Sequence, residues 1–129
     1  MLFQSPVQHF AMSPSNLTDA PAWALDFMKN VPTAWEDIRF IAGYPGKYVV
    51  LARKSQAGKW YLTAINGTKE PLSLKIPVDM YDVGQIVTVY SDKPTKKVTP
   101  ESMVKQVKIN KKRIMEAIIP VNGAFLIAE

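Results

Sequence analysis

Cysteine is absent from the 129 residues, and histidine occurs once, as His9. The first absence excludes disulfides and thiolate metal sites, and it leaves the redox compartment unreadable. The second excludes a metal centre built from several imidazoles and makes His9 the one available base for a nucleophilic triad. That base has poor company, because Ser5 is followed by Pro6 and no G-x-S-x-G elbow occurs anywhere. No apolar run approaches the roughly 18 residues that a membrane-spanning helix needs. The opening stretch, MLFQSPVQHF, lacks a basic start and a long apolar segment, so it does not read as a signal peptide.

Positive charge is in excess, with 16 Lys and Arg against 11 Asp and Glu, a net +5 and a pI near 9.5. A nucleic-acid surface would need that excess on one face with aromatics interleaved. Instead it collects in KPTKK (93–97) and KINKKR (108–113), turn-like segments between apolar runs, so no nucleic-acid partner is expected.

Ten prolines cut the chain into short pieces, which excludes a helical bundle. One helix is expected near 20–30, in TDAPAWALDFMKNVP, with Thr18 or Asp19 accepting the first free amide hydrogens and Pro21 in the first turn. Ala24, Phe27, Met28 and Val31 then share one face, and Pro32 ends the helix. From Trp35 the hydrophobic period becomes two. Strands are predicted at 35–42, 47–54, 59–65, 71–76, 85–91, 102–109, 112–119 and 123–128. GYPGK, SQAGK, NGTKE and Asn122-Gly123 supply the glycine or asparagine that tight turns need for positive φ. Short antiparallel strands of this kind bury one face each, so the expected fold is mainly β, an antiparallel β-sandwich of about eight strands preceded by one short α-helix.

The stretch TAWEDIRF sets Glu36 and Asp37 side by side near Trp35 and Arg39, the residue types of a sugar-cleaving site. Such carboxylates must converge on one bond from about 5 to 9.5 Å apart. Neighbours on a strand point to opposite faces, so this pair reads as a strand entry, with Asp37 and Arg39 in a surface ion pair. The other acids, Asp19, Asp26, Asp79, Asp82, Asp92 and Glu101, are scattered without the spacing of a calcium loop. No catalytic or metal-binding residue is therefore expected in this chain. The remaining candidates are aromatic: Tyr44, Tyr48, Trp60 and Tyr61 would suit a carbohydrate-binding module, with an α-glucan as partner, if their rings were exposed. Against this, Trp60 alternates with Leu62 and Ala64, as a buried face does.

The runs FQSPVQHFAMSPSN, FMKNVPTAWEDIRFIAGYPGKYVVLARKSQAGKWYLTAING and NGAFLIAE closely resemble the C-terminal end of glycoside hydrolase family 97, bacterial α-glucosidases and α-galactosidases. The resemblance covers essentially the whole chain and is most specific in VPTAWEDIRFIAGYPGKYVVLARK and KWYLTAING; residues 78–120 match mainly in pattern. Ala34 and Ile38 stand where family members usually carry threonine, and both suit a strand. The resemblance implies a parent with an N-terminal β-domain, a catalytic (β/α)8 barrel and a closing β-sandwich. On that reading residues 1–30 are a remnant of the last barrel strand and helix, and 31–129 are the C-terminal β-sandwich domain. The catalytic carboxylates and the calcium ligands of the family lie upstream, so this chain alone is expected to be inactive. Its implied partner is the rest of the parent glycosidase, and its implied location is the periplasm. Residues 1–30, freed from a barrel, would expose Leu2, Phe3, Val7, Phe10 and Phe27, and are expected to pack onto the sandwich or to mediate self-association.

Overall fold

The computed structural model describes Leu2, Val7, residues 9–93 and residues 101–129. Phe3, Ser5 and positions 94–97 of the KPTKK cluster lie outside the described residues. The order of elements is α1 (Asn16–Asp19), α2 (Ala22–Asn30), β1 (Trp35–Tyr44), β2 (Tyr48–Ser55), β3 (Trp60–Asn66), β4 (Leu72–Pro77), β5 (Ile86–Asp92), β6 (Ser102–Lys108), β7 (Ile114–Ile119) and β8 (Ala124–Ala128). Every predicted strand is present, within about two residues at each end. The fold is the expected antiparallel β-sandwich, with unequal layers. Six strands in the order β1-β2-β3-β8-β5-β6 form one sheet, and β4 with β7 form a two-stranded ribbon.

Between the layers, alternate residues of the large sheet meet the ribbon. Val50, Ala52, Leu62, Ala64, Val89 and Ile127 are at most 1% exposed and pack with Ile76 and Ile119 of the ribbon and with Val78 and Tyr81 of the loop after β4. Each large aliphatic side chain enclosed in this way contributes about 1.5–3 kcal/mol relative to an exposed one. Tyr81 adds a polar tether: its hydroxyl donates toward the Trp60 carbonyl at 3.3 Å and lies 3.5 Å from that of Ile127. Burial, reinforced by the Glu129 carboxylate, pushes the Tyr81 phenol well above its ordinary range.

Asn66 ties the ribbon to the sheet. Its side chain is buried at the end of β3, and its Nδ2 donates to the carbonyls of Glu70 (2.8 Å), Ile119 (3.1 Å) and Pro120 (3.1 Å). Its Oδ1 accepts from the amide and the hydroxyl of Thr68 at 2.8 and 2.7 Å. The NG turn therefore does not work as expected. Neither Asn66 nor Gly67 has positive φ, because the side chain of Asn66, rather than a left-handed backbone, closes the turn. Gly43, Gly46, Gly58 and Asn122 do occupy the positive-φ positions foreseen for their turns.

Three further details correct the sequence reading. Among the described residues two helical segments are present instead of one, because Ser13-Pro14-Ser15-Asn16 starts its own turn, held by the Ser13 amide donating to Asn16 Oδ1 at 2.9 Å. Thr18 and Asp19 consequently do not cap α2. The Thr18 hydroxyl donates to the Ser15 carbonyl at 2.7 Å, and Pro21 takes the cap position without a side-chain bond. Third, β7 begins at Ile114 rather than 112, since Arg113 (φ 49°) belongs to the turn. The end of α2 is as anticipated: Val31 is extended, ahead of Pro32.

Replacing Asn66 by Ala removes its three donated bonds and takes the acceptor from the Thr68 amide, while the Pro120 and Glu70 carbonyls keep the Gly123 amide and the Thr68 hydroxyl; it should cost about 2–3 kcal/mol in urea unfolding. Tyr81 predicts a pH effect. Its folded pKa lies above the unfolded value of about 10, so stability holds below that pH and falls as pH rises past it; Tyr81→Phe should flatten this alkaline decline.

Candidate functional site: the outer face of the large sheet

The face of the large sheet turned away from the ribbon is built of alternate residues that a solvated sheet would make polar. In β2 these are Val49, Leu51 and Arg53; in β1, Ile38 and Phe40; in β3, Tyr61, Thr63 and Ile65. The upstream segment covers one end of this face. Trp23 and Phe27 of α2 set their rings 5.6 and 5.2 Å from that of Tyr90 on β5. Trp35 meets Tyr61 edge-on at 5.5 Å. Arg53 is fully enclosed there: its guanidinium lies 5.6 Å from the Trp35 ring, Nη2 donates to the Leu2 carbonyl at 3.1 Å, and burial lowers its pKa from the ordinary arginine value. Of the residues expected to need cover, Phe27 is thus half-buried on the sandwich, while Val7 and Phe10 are exposed.

The other end, at the β1–β2 hairpin, is uncovered. Phe40 and Tyr44 are each 66% exposed, and with Pro45, Tyr48, Val49 and Ile65 they border a groove of about 420 Å³. Gly43, Gly46 and Gly67 leave its walls without side chains. Gly43 has φ of +142°, and a Cβ there would collide with the Tyr48 carbonyl oxygen. The groove bears one charge, Lys47, whose ammonium sits 5.5 Å from the Tyr44 ring.

The four aromatic candidates do not meet. Tyr44 and Tyr48 pair across the hairpin, Trp60 is buried on the inner face with Arg39 stacked 4.4 Å from its ring centre, and Tyr61 is buried on the outer face. Trp60 and Tyr61 therefore offer no free ring to a sugar. For the carboxylates, strict alternation is broken by a bulge between Trp35 and Asp37, which makes Glu36 the extra residue. Glu36 reaches Lys54 at 3.1 Å, and Asp37 pairs with Arg39 at 3.5 Å as foreseen. Each carboxylate has its own cation, and the pair is not poised on a common substrate. His9 is exposed. Among the described residues no group of three or more His, Cys, Asp or Glu side chains gathers to hold a metal ion. Sequence reasoning missed Arg53 and Asn66. The signal for Arg53 was its place in an apolar alternation, Val49-Leu51-Arg53; Asn66 had none beyond its turn.

The sequence profile described as "Glycosyl-hydrolase 97 C-terminal, oligomerisation" matches residues 34–128. The chain belongs to this family. This glycosyl-hydrolase 97 C-terminal domain is 39% identical over 62 residues to a "Probable retaining alpha-galactosidase" of Streptomyces bingchenggensis (strain BCW-1), which takes in 48% of this chain and 9% of that protein. A solved beta-arabinopyranosidase superposes with a TM-score of 0.84 at 45% identity, over 96% of this chain and 19% of that one. A glycoside hydrolase family 97 enzyme from Pseudoalteromonas sp. strain K8, in complex with acarbose, shares the fold at a TM-score of 0.72 and 22% identity, over 90% of this chain and 19% of that one. The domain thus spans about a fifth or less of the length of these relatives.

Gly43→Ala should strain the hairpin and push β1 off Tyr48. A loss of about 1–3 kcal/mol, read as a lowered thermal midpoint, is the expected outcome.

Proposed function

We propose that the domain works in carbohydrate metabolism as a non-catalytic part of a family 97-type α-glycosidase, stabilising the catalytic barrel and the assembly of the enzyme. The observation that carries this reading is the seating of α2 and Leu2 on the apolar outer face of the large sheet, over a buried arginine. On this reading residues 1–30 are the end of the barrel, and the sandwich from 31 onward is the clamp that holds it. The parent's calcium and catalytic carboxylates belong to its barrel, and the parent works in the periplasm. Galacto-configured pyranosides are its substrate class. In support, two relatives that exceed a third identity are named as a probable retaining alpha-galactosidase and a beta-arabinopyranosidase. A pentopyranose of that kind can keep the ring hydroxyl pattern of galactose while lacking its exocyclic carbon.

Sugar binding by this domain has weaker support. Of the four aromatics only Tyr44 is exposed, Tyr48 being partly buried against the core, and a sugar's hydroxyls need several fixed polar partners where the groove offers one lysine. The chain alone should give no turnover of chromogenic α-galactosides or α-glucosides, and no tryptophan fluorescence change with millimolar maltose. Turnover above blank would overturn the non-catalytic reading, and a saturable fluorescence response would replace it with a carbohydrate-binding module.

A further inference from the structure

At the seam between α2 and the large sheet lies a cavity of about 300 Å³. Four rings border it: Trp23 and Phe27 from α2, Tyr61 from β3 and Tyr90 from β5. Tyr61 and Tyr90 share the outer face, because Ala128 of β8 stands between their strands, opposite both Tyr61 and Thr88. Two carboxylates join the rings, Asp26 from α2 and Glu129 just past β8. No lysine or arginine borders the cavity, and among the described residues neither carboxylate is in an ion pair. Arg53 is on the same face but stands on β2, across β3 from the cavity, where it holds the Leu2 carbonyl. A negative corner is thus left uncompensated in a chain of net charge +5. We propose that this cavity binds a small alkylammonium ion, whose charge the two carboxylates balance and whose carbon groups lie against the rings.

Aromatic rings attract a cation through their quadrupole, and more strongly where water is displaced. Tyr61 is 8% exposed and Trp23 36%, so the walls run from the dry interior to the surface. The field at the inner wall has the required sign: the Tyr61 phenol is pushed above its ordinary range by burial and then by the Glu129 carboxylate. A metal ion fits less well, since hard cations take six or more oxygen ligands. Among the described residues no three His, Cys, Asp or Glu side chains gather to supply them. A neutral sugar also fits less well, because it would leave both carboxylates unbalanced. Asn30, the remaining polar side chain at the cavity, already donates its amide to the Asp26 carbonyl at 2.8 Å.

The inference does not depend on the glycosidase reading, since it needs only α2 seated on the sheet. Choline chloride, added to the full chain at constant ionic strength, should change the tryptophan fluorescence saturably with a Kd of about 1 mM. It should also raise the thermal midpoint, because the ligand bridges helix and sheet. Dimethylbutanol, its uncharged carbon isostere, should bind far more weakly. Asp26→Asn and Glu129→Gln, both at exposed positions, should each weaken choline binding about fivefold while leaving the circular dichroism unchanged. Asp79→Asn, exposed in the loop after β4, is the control and should have no effect. An equal response to dimethylbutanol would overturn the recognition of charge, and a choline response indifferent to Asp26 and Glu129 would overturn the assigned cavity. A galactose response that both substitutions abolish would overturn the proposal in favour of a sugar site. Fluorescence and thermal midpoint that stay unchanged to about 10 mM choline would overturn it outright.

Discussion

Trp60, Tyr61, Leu62, Thr63 and Ala64 are consecutive in β3, and all five are buried. A strand achieves this only when both faces of its sheet are covered, because its side chains alternate from one face to the other. Everything else in the architecture answers that demand. The β4–β7 ribbon covers the inner face through Ile76 and Ile119, and the upstream segment covers part of the outer face through Trp23 and Phe27. The helix that precedes the sandwich is therefore one of its layers, not an appendage.

The inner layer is only two strands wide and needs a firm attachment. Asn66 supplies it, since one buried amide reaches the carbonyls of Ile119 and Pro120 from the end of β3 and shapes the turn leading to β4. Tyr81 performs a similar task on the far side of the core, linking the loop after β4 to the Trp60 backbone. Both are polar groups in an apolar interior, where an unmet carbonyl is costly, so they specify one docking of ribbon on sheet as well as strengthening it. The outer layer is attached differently, by ring contacts and by Arg53, an enclosed cation whose bond to the Leu2 carbonyl makes the seating of the upstream segment specific.

The charged residues follow the same division of labour. The carboxylates that suggest sugar-cleaving chemistry, Glu36 and Asp37, are engaged by Lys54 and Arg39, and Arg39 in turn caps Trp60 at the rim of the core. They shape a strand entry. Chemical potential in this domain is surface chemistry: apolar area that is covered at one end of the sheet and bare at the other.

Local patterns were legible in the sequence because their causes are local. The eight strands followed from alternation and turn residues, the end of α2 followed from Pro32, the positive-φ turns followed from Gly43, Gly46, Gly58 and Asn122, and the motifs around VPTAWEDIRF carried the family. Alternation also marked Trp60, Leu62 and Ala64 as core. It could not mark Tyr61 and Thr63, because whether a second face is buried depends on what lands on it from elsewhere in the chain. The same limit hid the bulge at Glu36, the role of the Asn66 side chain, the loss of Thr18 as a cap and the enclosure of Arg53. The sequence by itself determined the elements and their polarity, which arise from neighbours along the chain. Only the tertiary structure decided how six strands and two divide into layers and which apolar face stays open, because burial and sheet partnership are set by residues distant in sequence.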